Sequence, residues 1–379
     1  MRYLKKFTIN KLKIAFLTFC YSFLDQDTRY PKYLLNFEKK IAKFLGKKFA
    51  LSFSNGTTAC KVALYALGVK KGSKILLSKI SFPSVISAIL LTGCKPIFME
   101  FDKNLQFVIP TPDKVKDCDY LLITHAYGYP NLKSNIDKLK KLNPKIKIIE
   151  DISHSQGSSS ENILTGSLGD IAFMSMQGSK AISAGEGGLV ITDSEIIKNK
   201  MLYLSHLNRK NEKDKRIETL SKIGFIGKGR MNPLGAIKAS YKLDELNKRN
   251  ERLRKKIKII YDLLRDDKNI KLPIVRSSEK LGGFYYGVPF FLEDEVIRKK
   301  LEKQFRIIKY DWPPLDLNLN FNSPEKFERL LYLDNLEIND ILNDIEDDRK
   351  FLFFFSLEDL ILLSESKIER KIKKFINDF

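Results

Sequence analysis

Between residues 49 and 193 the chain alternates short apolar, β-branched runs with helical stretches, and that alternation sets its fold class. The strand candidates are "FALSFS", "KILLSK", "KPIFMEF", "YLLITHA", "IKIIED", "IAFMSM" and "GLVITD", with helical segments over 57–68, 83–92 and 132–142 between most of them. A strand joined to its neighbour through a helix runs parallel to it. Helices then cover both faces of the sheet, so the strands read as unbroken apolar runs, as most of these do. The expectation is an α/β fold with a seven-stranded, mostly parallel sheet in a large domain. Such sheets bind ligands at the carboxyl ends of their strands, so the residues that follow each run are where chemistry is sought.

After residue 195 the pattern changes. A charged helical segment is followed by a stretch from Asn232 to Asp267 that reads as one long, highly charged helix. Beyond it, strands are expected near Phe284–Phe291 and Ile307–Tyr310, and helices near 293–304 and 366–377. A length of 379 residues exceeds one typical domain. The reading is a large α/β domain over residues 1–245 and a smaller C-terminal α+β domain over 246–379. The start of the chain, "MRYLKKFTINKLKIAFLTFCYSFL", carries an apolar run from Ile14 to Leu24. That run is too short to span a bilayer, and Asp25, Gln26 and Asp27 stand where a cleavage site would need small residues. Segment 1–35 is read as a packed helix or a subunit contact, and no integral membrane segment is expected.

Lys and Arg number 67 against 46 Asp and Glu, a net charge of +21. Such a balance suits a polyanionic partner, including a phosphorylated small molecule, and it also follows from a bias toward Lys and Ile throughout. The charge is spread along the chain and nowhere interleaves with aromatic residues, so nucleic acid is not an expected partner. The four cysteines (Cys20, Cys60, Cys94 and Cys118) form no CxxC pair, and there are three histidines. Neither a metal site nor a disulfide framework is expected, and a reducing cytoplasm fits.

Four features follow strand candidates. In "SFSNGTTAC" a strand ends at Ser54 and Asn55-Gly56-Thr57-Thr58 opens a helix. N–H groups at a helix start, with Thr hydroxyls beside them, make a phosphate seat, although an ordinary N-cap has the same sequence. In "IKIIEDISHSQG" a strand delivers Glu150 and Asp151, with His154 three residues on. A carboxylate there can hold a protonated ring nitrogen or simply cap a helix. In "SMQGSKAISAGEGG" Ser175 ends a strand and Lys180 sits in a loop of small residues, where an amine can be partly desolvated and fixed as a nucleophile. The plain alternative is a solvated loop lysine. In "LSKISFPSVISA" the Phe82 ring can stack on a flat cofactor or pack in the core. Together these four make a phosphate seat, an aromatic plate, a ring-nitrogen aspartate and an imine-forming lysine, the set that holds pyridoxal 5′-phosphate.

From about residue 36 to 245 the chain resembles the pyridoxal-phosphate-dependent sugar aminotransferases of the DegT/StrS type, of aminotransferase fold type I. The resemblance runs in order through "NFEKKIAKFLGKKFALSFSNGTTA", "GCKPIFMEFD", "THAYGYP", "EDISHSQG", "GSLGDIAFMSMQGSKAISAGEGGLVIT" and "GKGRMNPLGAIKAS". It implies that Lys180 bonds the cofactor as a Schiff base and shuttles the proton, and that Asp151 pairs with the ring nitrogen. It places His154 near the ring's phenolic oxygen and Phe82 on its face, with Gly56, Thr57 and Ser175 at the phosphate. The segment around Lys228 and Arg230 would reach the neighbouring subunit's phosphate or substrate, which implies a homodimer. Three positions depart from the family pattern. Gln177 replaces a usual histidine, Met176 a usual aromatic residue, and Lys228 the asparagine that comes from the partner subunit. A lysine, not a histidine, at position 180 argues for transamination over dehydration.

The implied reaction moves an amino group from L-glutamate to a keto-sugar, a nucleotide-linked keto-deoxyhexose for a surface polysaccharide or glycan. Two alternatives stay open: a small phosphorylated ketone as acceptor, and a non-catalytic regulatory or membrane-associated scaffold with the same fold.

Overall fold

The computed structural model describes residues 32–205, 229–309 and 352–377, together with the isolated positions Leu12, Phe16 and Phe19. Helix α1 (Lys32–Phe44) leads into β1 (Phe49–Phe53) and α2 (Gly56–Leu67). Next come β2 (Lys74–Ser78), α3 (Pro83–Leu91), β3 (Lys95–Met99), α4 (Pro112–Lys116), β4 (Tyr120–Thr124), α5 (Lys133–Leu142) and β5 (Lys147–Asp151). Two short strands, β6 (Ser159–Ser160) and β7 (Ile163–Leu164), precede β8 (Ile171–Ser175), β9 (Gly188–Thr192), α6 (Glu195–Ser205) and the long α7 (Pro233–Leu264). The rest comprises β10 (Glu279–Lys280), β11 (Gly287–Phe291), α8 (Glu295–Glu302), β12 (Ile307–Lys309), β13 (Leu352–Ser356), α9 (Leu357–Leu362) and α10 (Glu365–Asn377).

All seven expected strands form, and they make one seven-stranded sheet in the order β1-β9-β8-β5-β4-β2-β3. Strands β2 to β5 are parallel, with Leu77 opposite both Phe98 and Leu122. Strand β9 runs antiparallel to β1 and to β8 on either side. Its direction follows from the connection: no helix stands between β8 and β9, only the loop 176–187, so the chain turns back on itself. That loop carries Lys180.

The chain divides into two compact units, residues 1–68 with 170–246 and residues 69–169 with 247–379. In the first, α2 presents Ala59, Val62, Ala63 and Ala66, all with no exposed surface, and contacts β8 and β9. In the second, α4 and α5 bury Val115, Ile136 and Leu139 among Leu121, Ile123 and Ile148. A further core gathers Phe290, Phe353, Phe354, Phe355, Ile372 and Phe375 around the antiparallel sheet β11-β13-β12. The expected helix near 366–377 and strand near Phe284–Phe291 are α10 and β11. Strand β13 was not anticipated, because "LFFFS" is a five-residue apolar run with no alternation to mark it as a strand. A third small sheet, β10-β6-β7, joins residues 159–164 to 279–280.

Among the described residues no helix is long and apolar enough to cross a membrane. Cys60, Cys94 and Cys118 are buried thiols.

Candidate active site

The phosphate-seat motif folds as a capped helix start. Asn55 is the N-cap of α2, and its Oδ1 accepts the Thr58 N–H at 2.8 Å. The first regular helical bond is Ala59 N–H to Asn55 O at 3.0 Å. The N–H groups of Gly56 and Thr57 therefore stand at the helix start, outside the intrahelical ladder, where the dipole favours an anion. The cap is formed, and capping by Asn55 is compatible with an anion at the same helix start. Gly56 has a steric reason, since a Cβ there would lie 2.7 Å from the Ser175 Cβ. Without it the helix start sits directly against the end of β8, so that Ser175 joins Gly56 and Thr57. Gly229 closes the same corner: its carbonyl accepts the Ser54 N–H at 2.7 Å, and a Cβ on it would meet Thr58 Cγ2 at 2.8 Å.

The Lys180 loop is rigidly tied. Met176 N–H donates to Gly187 O at 2.8 Å and Ala184 N–H to Met176 O at 2.7 Å, clamping both ends. Inside, Gln177 Oε1 accepts the Ser179 N–H at 3.1 Å and also takes the Ser179 hydroxyl, and Lys180 N–H donates to Gln177 O at 2.9 Å. Gln177, the residue that departs from the family pattern, thus closes the turn in which Lys180 sits. Lys180 is half-buried while Gln177, Gly178 and Ser179 are exposed.

Strand β5 ends in two carboxylates, Glu150 and Asp151, with different hydrogen-bond partners. Glu150 is fully buried. Its Oε1 accepts the N–H groups of Leu168 and Gly169 at 2.8 and 2.6 Å, and its Oε2 accepts that of Gly166 at 2.8 Å. The remaining donor is His125 Nε2 at 3.0 Å, because His125 Nδ1 accepts the Asn131 N–H at 3.0 Å. That bond fixes the imidazole as the Nε2–H tautomer. Burial works to raise the Glu150 carboxyl, but the bonds from His125, Gly166 and Gly169 hold it below its ordinary value. Asp151 is also buried. Its Oδ1 accepts the Ser153 N–H at 2.9 Å, and its carbonyl takes the His125 N–H at 3.1 Å.

Replacing His125 with alanine should therefore destabilise the chain by about 3–5 kcal/mol, because it strips a buried carboxylate of a partner. Thermal unfolding of the variant checks this. The Glu150 contribution has a defined pH dependence. Its folded pKa lies below the unfolded value of 4.5, so the stabilisation is complete above that value and is lost as pH falls through the folded one. In a Glu150→Gln chain that segment of the stability profile should be shallower, with the remaining slope left to other lowered carboxylates such as Asp193.

His154 is buried and its ring stacks against Tyr127, with centroids 5.2 Å apart, and against Tyr285, 4.4 Å apart. Tyr127, Phe284 and Tyr286 all hold positive φ (52°, 53° and 67°), a conformation that costs bulky residues about 1–3 kcal/mol each and gathers at functional sites. Phe82 is the N-cap of α3, ahead of Pro83, and is half-buried.

The first unit thus holds Gly56, Thr57, Thr58, Ser175 and Lys180, and the second holds Phe82, Asp151 and His154. Lys228 lies outside the described residues, and Arg230 is half-buried. Sequence reasoning assigned no role to His125, Asn250, Tyr285 or Gly229. Of these, His125 and Gly229 lie inside the quoted "THAYGYP" and "GKGRMNPLGAIKAS", and Asn250 inside the long helix. The donor set fits pyridoxal phosphate. In the first unit, helix-start N–H groups and small hydroxyls suit a phosphate, Gly56 lets Ser175 pack directly against that helix start, and Lys180 supplies an amine; the second unit supplies a strand-end carboxylate and an aromatic ring.

The sequence model of the DegT/DnrJ/EryC1/StrS aminotransferase family matches residues 25–307. A GDP-perosamine synthase from Escherichia coli O157:H7 is 31% identical over 174 residues, 45% of this chain and 48% of that protein. A 3-oxo-glucose-6-phosphate:glutamate aminotransferase from Bacillus subtilis (strain 168) is 29% identical over 191 residues, 48% of this chain and 42% of that protein. The matches thus span about half the length of these curated relatives. A DegT DnrJ EryC1 StrS aminotransferase from Brucella abortus shares the fold, with a TM-score of 0.71 at 17% identity over 91% of this chain and 90% of that one.

Proposed function

We propose, because the chain belongs to the DegT/DnrJ/EryC1/StrS aminotransferase family, that it moves an amino group from L-glutamate to a keto group on a nucleotide-linked sugar, with pyridoxal phosphate as cofactor. The observation that carries this reading is the Lys180 loop, which clamps a half-buried amine at the carboxyl end of β8, five residues from a serine packed on a helix start. When bound, the cofactor supplies an electron sink for charge that develops at the carbon losing its proton. The chain's own residues do the rest. The N–H groups of Gly56 and Thr57, with the hydroxyls of Thr57, Thr58 and Ser175, bind the phosphate. Asp151 keeps a proton on the ring nitrogen. Phe82 covers the ring face, and His154 stands near the phenolic oxygen. Lys180 would hold the cofactor through its amine and, once the substrate's amine has displaced it, would act as the base that moves the proton.

The GDP-perosamine synthase match supports a nucleotide-linked acceptor and a role in surface polysaccharide or glycan biosynthesis. The net charge of +21 suits a diphosphate-bearing substrate. A homodimer is part of this reading, in which Lys228 of the partner subunit would reach the phosphate or the substrate. Buried thiols fit a cytoplasmic location. A second reading has one observation behind it. The Bacillus relative's name specifies a sugar phosphate and glutamate, so a phosphorylated keto-sugar without a nucleotide is the alternative acceptor.

The test is the visible absorbance of the purified chain with pyridoxal phosphate, before and after excess L-glutamate. The band of the lysine-bound cofactor should appear first and fall when glutamate is added. A band that ignores glutamate would refute the donor, and no band at all would refute the reading of Lys180. Turnover with nucleotide-linked against nucleotide-free keto-sugars then separates the two acceptors.

A further inference from the structure

The turn from Gly282 to Gly287 is built against the His154 loop with unusual closeness. A Cβ on Gly283 would lie 2.3 Å from His154 O and 2.7 Å from Gln156 N, so only glycine allows the approach. Asn250 ties the two segments from α7: its Nδ2 donates to Gln156 O at 3.0 Å, and its Oδ1 accepts the Gly283 N–H at 3.3 Å. Arg249 Nη1 donates to Gly283 O at 3.1 Å. The Ser158 hydroxyl lies 2.8 Å from Gly128 O and 3.2 Å from Gly282 O, joining the turn to the Tyr127 segment as well. On the far side, Leu357 N–H donates to Tyr286 O at 2.8 Å.

These ties hold Phe284 and Tyr286 at positive φ on either side of Tyr285. A bulky residue keeps that conformation only where its surroundings impose it. What the strain achieves is the placement of one ring. Tyr285 is half-exposed, so burial does not account for it, yet its ring lies 4.4 Å from the His154 ring at an interplanar angle of 24°. Tyr286 backs it at 4.3 Å, and Tyr127 takes a second stacking contact with His154 at 5.2 Å.

We propose that Tyr285 is a positioning residue: presented by the strained Gly282–Gly287 turn, it sets the orientation of the His154 ring. This deepens the proposed function and rests on it for the purpose of that orientation, which is to hold His154 toward the cofactor. The function of Tyr285 then resides in its ring face and not in its hydroxyl.

The chain has three histidines, His125, His154 and His206, so selectively labelled imidazoles can be followed one by one by NMR in the full-length protein without cofactor. Loss of a signal in His154→Gln assigns it. Tyr285→Ala should move the His154 ring signals toward their random-coil positions, since the ring current of the stack is gone. Tyr285→Phe should leave them in place. Tyr285→Leu, which fills the space without a stacking face, keeps the test decisive if the alanine chain does not fold. In parallel, Tyr285→Ala should weaken pyridoxal phosphate affinity roughly three- to tenfold, with Tyr285→Phe restoring it. An unmoved His154 signal in both Tyr285→Ala and Tyr285→Leu overturns the positioning role, whatever the chain binds. A moved signal in a chain that never binds pyridoxal phosphate supports the positioning and overturns the proposed function instead.

Discussion

Lys180→Ala should abolish turnover, by at least about 10³-fold, while the chain stays folded. The two halves of that expectation rest on different atoms. The loop is held by backbone bonds, Met176 N–H to Gly187 O, Ala184 N–H to Met176 O and Lys180 N–H to Gln177 O, and by the Gln177 side chain. None of these uses the Lys180 amine. Truncating a half-buried side chain at such a position changes stability by about 0.5 kcal/mol or less. The chemistry has no such reserve. In the proposed function one amine holds the cofactor and, once released, moves the proton, and alanine can do neither. Steady-state rates with glutamate and a keto-sugar, set beside thermal unfolding, separate the outcomes. Retained turnover would remove Lys180 from the mechanism. A large fall in unfolding temperature would mean that the amine is a structural group.

Asp151→Asn should lower the rate by about 10²- to 10⁴-fold with little change in fold. Asparagine is nearly the same size and keeps a side-chain oxygen for the Ser153 N–H, which Asp151 Oδ1 accepts at 2.9 Å. The His125 N–H bond to the residue 151 carbonyl also survives, being backbone to backbone. What is lost is a negative charge, which in the proposed function keeps a proton on the ring nitrogen so that the ring withdraws electrons well. The contrast with Glu150 makes the experiment informative. Glu150 is satisfied by four donors inside the protein, so Glu150→Gln should register in stability. Asp151→Asn should register in rate. A wild-type rate for Asp151→Asn would reassign the ring-nitrogen partner.

Much of the candidate site was legible because strand ends are written locally. "IKIIED" and "IAFMSM" are apolar runs that stop at a polar residue, so Asp151 and Ser175 are placed by the run before them. "SNGTTAC" marks its own helix start through the Asn55 cap. The Glu150–His125 pair was not legible as a pair. It joins residues 25 apart through adjacent strands, and nothing near either residue names the other. Tyr285 was less legible still. Its partner His154 lies on a distant loop, and the only local sign was a "GGFYYG" whose glycines gave no hint of what they approach.

The amino-acid sequence alone determined where the seven strands, the long helix and the loop lysine fall, because periodicity and caps are properties of consecutive residues. The tertiary structure alone decided the strand order, the antiparallel course of β9, the pairing of β13 between β11 and β12, and the four donors that enclose Glu150. Each of these depends on which distant segment supplies hydrogen-bond donors or packing atoms. That choice is settled only when buried polar groups and apolar faces across the whole chain are satisfied together.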